Sequence, residues 1–265
     1  MINKQTGLAV GIALLLFSAW TALTPPGLLG KADAAGYAVC HRIPSHSFQL
    51  GGRPLSLCAR CTGQYLGFGL VFFYQLLRGG ARGGRFPRLA VQAVLLGLLG
   101  LYVLDGLNSY LSFSRPGASS LLYRPRNQLR FLSGMGAGIS VGAFFLPLFN
   151  RIVWAEPRPV RVLSGFWAWG GLVVGAGVLS GMVLSRNPLF LYPLTLAAAA
   201  GVVLLLTLAY AVIWTILFHR ENTFRTWRDL VPYLALGLAG AVIQIGALDL
   251  IRFWVTGTWA GFHLG

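Results

Sequence analysis

A chain of 265 residues that is 56% hydrophobic and only 10% charged has too little polar surface to cover a water-soluble globule, where about 25% charged residues is usual. Its net charge of +15, from 21 Lys+Arg against 6 Asp+Glu, would suit nucleic acid in a soluble protein. Here the basic residues sit in loops between apolar runs, and no basic stripe is interleaved with polar helix or with an aromatic platform. The composition therefore excludes nucleic-acid binding and points to contact with membrane lipid.

Seven apolar segments follow in chain order, at about 7–24, 62–77, 89–111, 130–149, 162–184, 193–218 and 230–254. About 20 apolar residues cross the hydrocarbon as a helix, and helix is the open structure that satisfies its own backbone there. No run alternates with period two, as a barrel strand would. The fold class is all-α: a polytopic transmembrane bundle of about seven helices, with an ordered Cys/His loop between the first and second. The second segment is short and Gly-rich. Pro25-Pro26 ends the first segment, and Pro188 and Pro193 punctuate the fifth connection. The first segment shares features with a signal peptide, because Lys4 precedes an apolar stretch and Ala32 to Ala35 offer small residues for cleavage. Its run is long for that role and the small residues lie well past its end, so a retained helix is preferred.

The short connections set the orientation. The second, fourth and sixth carry Arg78, Arg82, Arg85 and Arg88, then Arg151, Arg158 and Arg161, then Arg220, Arg225 and Arg228, whereas the short fifth carries Arg186. This bias puts the amino terminus in the cytoplasm and the carboxyl terminus outside, in the cell membrane. The longer first and third connections are basic too, with Lys31, Arg42, Arg53 and Arg60, then Arg115, Arg124 and Arg126. Arginines there can serve a site. Small residues recur every four positions at Gly134, Gly138 and Gly142, at Gly63 and Gly67, at Gly171 and Gly175, and at Gly177 and Gly181. In lipid, where apolar burial drives little association, such stripes let helix backbones approach closely.

All three cysteines fall in the first connection, as Cys40-His41 and then Cys58-x-x-Cys61. Three readings fit. The first is a metal site in which Cys40, His41, Cys58 and Cys61 complete a tetrahedron, with His46 as the geometric alternative to His41; zinc is the expected ion and copper the other candidate. The second is thiol–disulfide exchange by Cys58 and Cys61, because Cys61 opens a helix whose dipole favours a thiolate. The third is structural, a disulfide or buried thiols. Gly51-Gly52 marks a turn within the loop. His219 and His263 lie elsewhere and read as solvated or interfacial.

Asp105 and Asp249 are the acids inside apolar runs, where a charge costs about 2.5–3.5 kcal/mol on insertion scales. Arg252 follows Asp249 at salt-bridge spacing, and Asn127 and Arg130 open the fourth helix on the side where Asp105 and Asn108 close the third. Asp249–Arg252 and Asp105–Arg130 are thus expected as ion pairs fixing helix register. The functional alternative is a polar pocket under the Cys/His loop, built from Arg60, Asp105, Asn108, Asn127, Arg130, Asp249 and Arg252.

"CHRIPSHSFQLGGRPLSLCARCTGQYLG", then "LDGLNSY", then "RNQLRFLSGMGAG" together resemble a family of small membrane proteins of bacteria and archaea known as domain of unknown function 2085. The likeness spans about residues 37–150. It implies that Cys40, His41, Cys58, Arg60, Cys61, Gly63, Tyr65, Asp105, Asn127 and Arg130 are motif positions. It implies no reaction. His46 stands where the family more often has Arg, which implies a basic side chain there. The chain then divides into an amino-terminal helix and connection (1–36), a family-like core with the Cys/His loop (37–150) and a three-helix extension (151–265).

The reading that results is a multi-pass membrane protein with an extracytoplasmic Cys/His metal site of structural, binding or sensing character. Its rivals are a membrane thiol–disulfide oxidoreductase using Cys58 and Cys61, and a transporter or lipid-handling permease using Asp105, Asp249 and Arg130. A hydrolase is disfavoured, because neither His-Glu-x-x-His nor Gly-x-Ser-x-Gly occurs.

Overall fold

The computed structural model describes residues 4–114 and 122–260; Arg115 and His263 lie outside them. Among the described residues run eight α-helices: α1 (Lys4–Leu23), α2 (Gly27–Val39), α3 (Ala59–Leu77), α4 (Leu89–Ser114), α5 (Asn127–Val153), α6 (Phe166–Leu184), α7 (Pro188–Leu217) and α8 (Trp227–Thr256). Two small sheets join connections, β1 (Gln49–Leu50) antiparallel to β2 (Arg53–Pro54), and β3 (Gly83–Arg85) parallel to β4 (Arg158–Arg161). All the helices except α2 and α3 are long and apolar enough to cross a membrane. Leu96, Val103, Val174, Leu250 and Trp254 are among many large apolar side chains left exposed on them. Such a surface is an aggregation liability in water and the natural one in hydrocarbon.

α3 is less apolar because it is enclosed, packing against α5, α7 and α6. Its contact with α5 is the most extensive in the molecule, and the glycine stripes explain it. A Cβ added at Gly63 or Gly67 would strike the carbonyl of Phe131 or Met135, and one added at Gly134 or Gly138 would strike that of Arg60 or Gln64. The two backbones are therefore in contact, with no room for a methyl group. Gly177 and Gly181 of α6 share the spacing but face open space.

α2 escapes the apolar pattern, because Lys31 and Asp33 interrupt an Ala/Gly-rich stretch. Ala32 and Ala35 pack against Ala199 of α7, so the small residues Ala32 to Ala35 form a packing face. α7 starts at Pro188 rather than near 193, because Asn187 caps its first turn, accepting from the Leu189 N–H at 2.9 Å, and proline at the first helical position costs no hydrogen bond. α8 opens with a capping box between Thr226 and Asp229.

Chain direction alternates through α1, α3, α4, α5, α6, α7 and α8, which gives the bundle two ends. At the cysteine end lie the loop from Cys40 to Cys58, Asp105, Arg130, Thr195 and Arg252. At the arginine end β3 pairs with β4, and the Arg82 guanidinium lies 4.0 Å from the Trp154 ring centroid and 5.6 Å from that of Trp227.

Candidate metal centre

Cys40 is the residue at which α2 stops, Cys58 precedes α3, and Cys61 lies in the first turn of α3. A Cys-x-x-Cys turn entering a helix directs two sulfurs to one side. The third returns beside them because the intervening chain folds back as the β1–β2 hairpin, whose two turn residues, Gly51 (φ 57°) and Gly52 (φ 84°), adopt the positive φ such a turn requires. Phe48, Leu50, Leu55 and Leu57 anchor the hairpin in the core alongside Cys40 and Cys58. The three sulfurs all lie within 4.8 Å of one another, Cys40 and Cys58 buried and Cys61 half-buried.

The cluster favours negative charge on Cys40. Its sulfur accepts the backbone N–H of Cys58 at 3.3 Å and of Arg42 at 3.5 Å. Hydrogen bonds from the Cys58 and Cys61 thiols hold the Cys40 thiol well below its ordinary value against the opposing effect of burial, and proton sharing with Cys40 pushes Cys58 up to about 12. Three convergent soft donors with N–H···S support are suited to a thiophilic ion such as zinc or copper.

His41 stands outside this group. Its Nδ1 accepts the Ile43 N–H at 3.0 Å, which commits the lone pair of that nitrogen and leaves the proton of the neutral ring on Nε2. Neither nitrogen then offers a lone pair to an ion. The ring packs edge-on to His46 with centroids 5.5 Å apart. Burial holds both imidazoles neutral, lowering His41 and taking His46 down to about 4 with help from Arg130, so position 46 carries no cation at neutral pH.

The loop is clamped by groups from distant helices. Arg252 of α8 donates to the carbonyls of Tyr37 (2.6 Å), Cys40 (2.5 Å) and His41 (3.2 Å). Asn127 of α5 donates to Ser45 and Ser47 at 3.1 and 3.3 Å. Thr195 of α7 accepts the Ser56 N–H at 3.3 Å. Asp33 of α2 binds Arg42 at 3.0 Å, pairs with Arg53 and accepts from Ser56 at 2.7 Å. Arg42 was legible only as a basic residue of the loop, and Asp33 and Thr195 were not singled out from the sequence. The one available signal was an acid placed among alanines and glycines, which has no reason to be there unless it meets a partner.

The remaining polar residues divide into two groups. Asp105 pairs with Arg60 (Nε to Oδ2 2.9 Å) and accepts from Tyr123 at 2.6 Å and Ser133 at 3.2 Å; Arg60 also donates to Ser109 at 3.0 Å. The expected Asp105–Arg130 pair is replaced by Asp105–Arg60, because the glycine contact brings the first turn of α3 up to this end and Arg130 instead donates to Asn127 at 2.8 Å. Asn108 ties down the connection that follows α4, through the Tyr123 carbonyl (2.8 Å) and the Leu122 N–H (3.1 Å). On the other flank Asp249 accepts from Trp20 Nε1 at 3.3 Å, and its second carboxylate oxygen is buried with no hydrogen-bond partner. The Arg252 guanidinium, expected beside Asp249, is turned to the loop carbonyls. Asp105 and Asp249 thus belong to separate networks.

Apolar spans, a lipid-facing surface and polar groups sealed at one end define a multi-pass α-helical membrane protein. The family described as "Predicted membrane protein (DUF2085)" matches residues 40–144, and the chain belongs to it. An uncharacterized protein of Methanothermobacter thermautotrophicus is 31% identical over 118 residues, which cover 43% of this chain and 91% of that one. A second uncharacterized protein, from Methanocaldococcus jannaschii, is 27% identical over 123 residues, 44% of this chain and 68% of its own. No solved structure matches.

Proposed function

We propose that this protein holds a zinc ion on the thiolates of Cys40, Cys58 and Cys61, on the outer face of the cell membrane, with the fourth coordination position open. The observation that carries this reading is the convergence of three sulfurs within 4.8 Å from segments 18 residues apart in sequence. The state of His41 supports an open fourth position, and zinc sites with three protein ligands are those that bind or activate a further ligand, whereas closed four-ligand sites are structural. A binding or sensing role follows. The outward orientation is supported by the arginine-rich connections at the opposite end. Residues 37–150 form the core of the site, and the extension from 151 onward contributes more than packing, because Thr195 and Arg252 hold the loop.

The test is elemental analysis of detergent-purified protein beside a Cys58→Ser/Cys61→Ser variant. The parent should carry about one equivalent of zinc and the variant none. Metal-free thiols that cycle fully with a quinone would overturn the reading in favour of thiol–disulfide exchange. Occupancy should also fall as the medium is acidified, because protons compete with the ion for sulfur. His41→Ala should keep its zinc, whereas loss there would make the imidazole a ligand.

A further inference from the structure

The arginine end carries a feature that the cysteine centre does not involve. A cavity of about 260 Å³ is lined by Arg85 of β3, Arg151 near the end of α5, Arg161 of β4, and Leu89 and Gln92 in the first turn of α4. Arg85 and Arg161 are direct partners in the register of the parallel β3–β4 pair. Like charges placed opposite each other in a strand pair repel, and Arg151 brings a third positive charge to the same space. No acidic residue lines the cavity, and none of the three arginines makes an ion pair with a described carboxylate. α4 begins at Leu89 with no acidic residue in its first turn, so the positive end of its dipole adds to the potential. Gln92 does not relieve it, since its side chain donates to the Pro87 carbonyl at 2.8 Å and braces the turn.

Three exposed arginines from three separate chain segments border one space, brought together by a strand pair that joins two otherwise independent connections, and Arg151 also lies 5.9 Å from the Phe86 ring centroid. We propose that this cavity binds a phosphate-type oxyanion, bridged by Arg85, Arg151 and Arg161. Guanidinium forks match the paired oxygens of a tetrahedral oxyanion, so three of them can surround one phosphate. The cavity lies where α4 enters and α5 leaves the apolar span, which is headgroup depth. An anionic lipid and a phosphate from solution offer the same chemistry there.

The test uses the full chain in phosphatidylcholine nanodiscs, without addition, with phosphatidylglycerol in the disc, or with inorganic phosphate in the buffer. Binding is read from the shift in the thermal midpoint as each probe is titrated. A saturable upward shift with phosphatidylglycerol alone identifies a lipid phosphate, and one with inorganic phosphate identifies a soluble one. In either case Arg85→Gln/Arg161→Gln should raise the apparent Kd about tenfold or more. Arg220→Gln, at the same end but outside the cavity, should leave it unchanged. If neither probe shifts the parent, or the double variant responds as the parent does, the proposal is overturned. Should the double variant fail to fold, Arg151→Gln leaves the strand pair intact and must still weaken binding severalfold; undiminished binding there overturns the proposal equally.

Discussion

The two ends of this bundle treat charge in opposite ways. At the cysteine end Asp33 answers Arg42 and Arg53, Asp105 answers Arg60, and Arg252 is met by three backbone carbonyls. At the arginine end the connections 78–88, 151–161 and 220–228 carry their arginines without an ion pair among the described residues. Arg82 is met by indole faces and Arg158 by a carbonyl. At the first end paired charges, buried or half-buried, hold a loop in place. The second is a surface that leaves most of its arginines exposed. One protein with a large positive charge therefore contains two different uses of arginine, one as a structural clamp and one as a contact with its surroundings.

Substitutions can break or sharpen that contrast. The largest effect should come from Asp105→Asn, which leaves the Arg60 guanidinium short of its counter-charge at a site where the carboxylate is 3% exposed. Loss of one member of a buried pair costs about 3–5 kcal/mol, read as a lower unfolding midpoint in detergent. An unchanged midpoint would mean that the cysteine end is not held by its charges.

Gly138→Ala should cost about 1–3 kcal/mol, because the added methyl group meets the Gln64 carbonyl and the α3–α5 backbones must separate. Gly177→Ala serves as its control: the same spacing in sequence, open space in the fold, and an expected change within about 0.5 kcal/mol. Equal losses at both would remove the backbone contact as the reason α3 and α5 stay together. The smallest effect should come from Arg88→Gln at the arginine end, an exposed side chain outside the cavity described above, again within about 0.5 kcal/mol. A large loss there would show that this end too is internally braced.

Much of the architecture was legible in residue order. Long apolar runs at membrane length specify spanning helices, because lipid leaves the backbone no other open choice. The stripe from Gly134 to Gly142 and its counterpart at Gly63 and Gly67 were visible as a pattern, as was the gathering of every thiol into one connection. The Gly51-Gly52 turn was legible too, because both positions need positive φ.

Partner choice was not legible. Arg130 and Arg252 are the sequence-near partners of Asp105 and Asp249, yet Arg60 pairs with the first, Trp20 hydrogen-bonds the second, and Arg252 serves the backbone of a loop more than 200 residues away. Identical glycine spacings mark a close contact at Gly134 and Gly138 of α5 and at Gly171 and Gly175 of α6, but open space at Gly177 and Gly181. The spacing of Cys-x-x-Cys said nothing of where the third sulfur would be, nor that Ile43 would occupy the ring nitrogen of His41. By itself, then, the sequence determined which segments form long apolar helices, with the enclosed α3 the exception that falls short of membrane-crossing apolarity. Only the tertiary structure decided which polar group answers which, because a short-range bond depends on where packed helices bring two side chains, and periodicity along one helix carries no information about its neighbour.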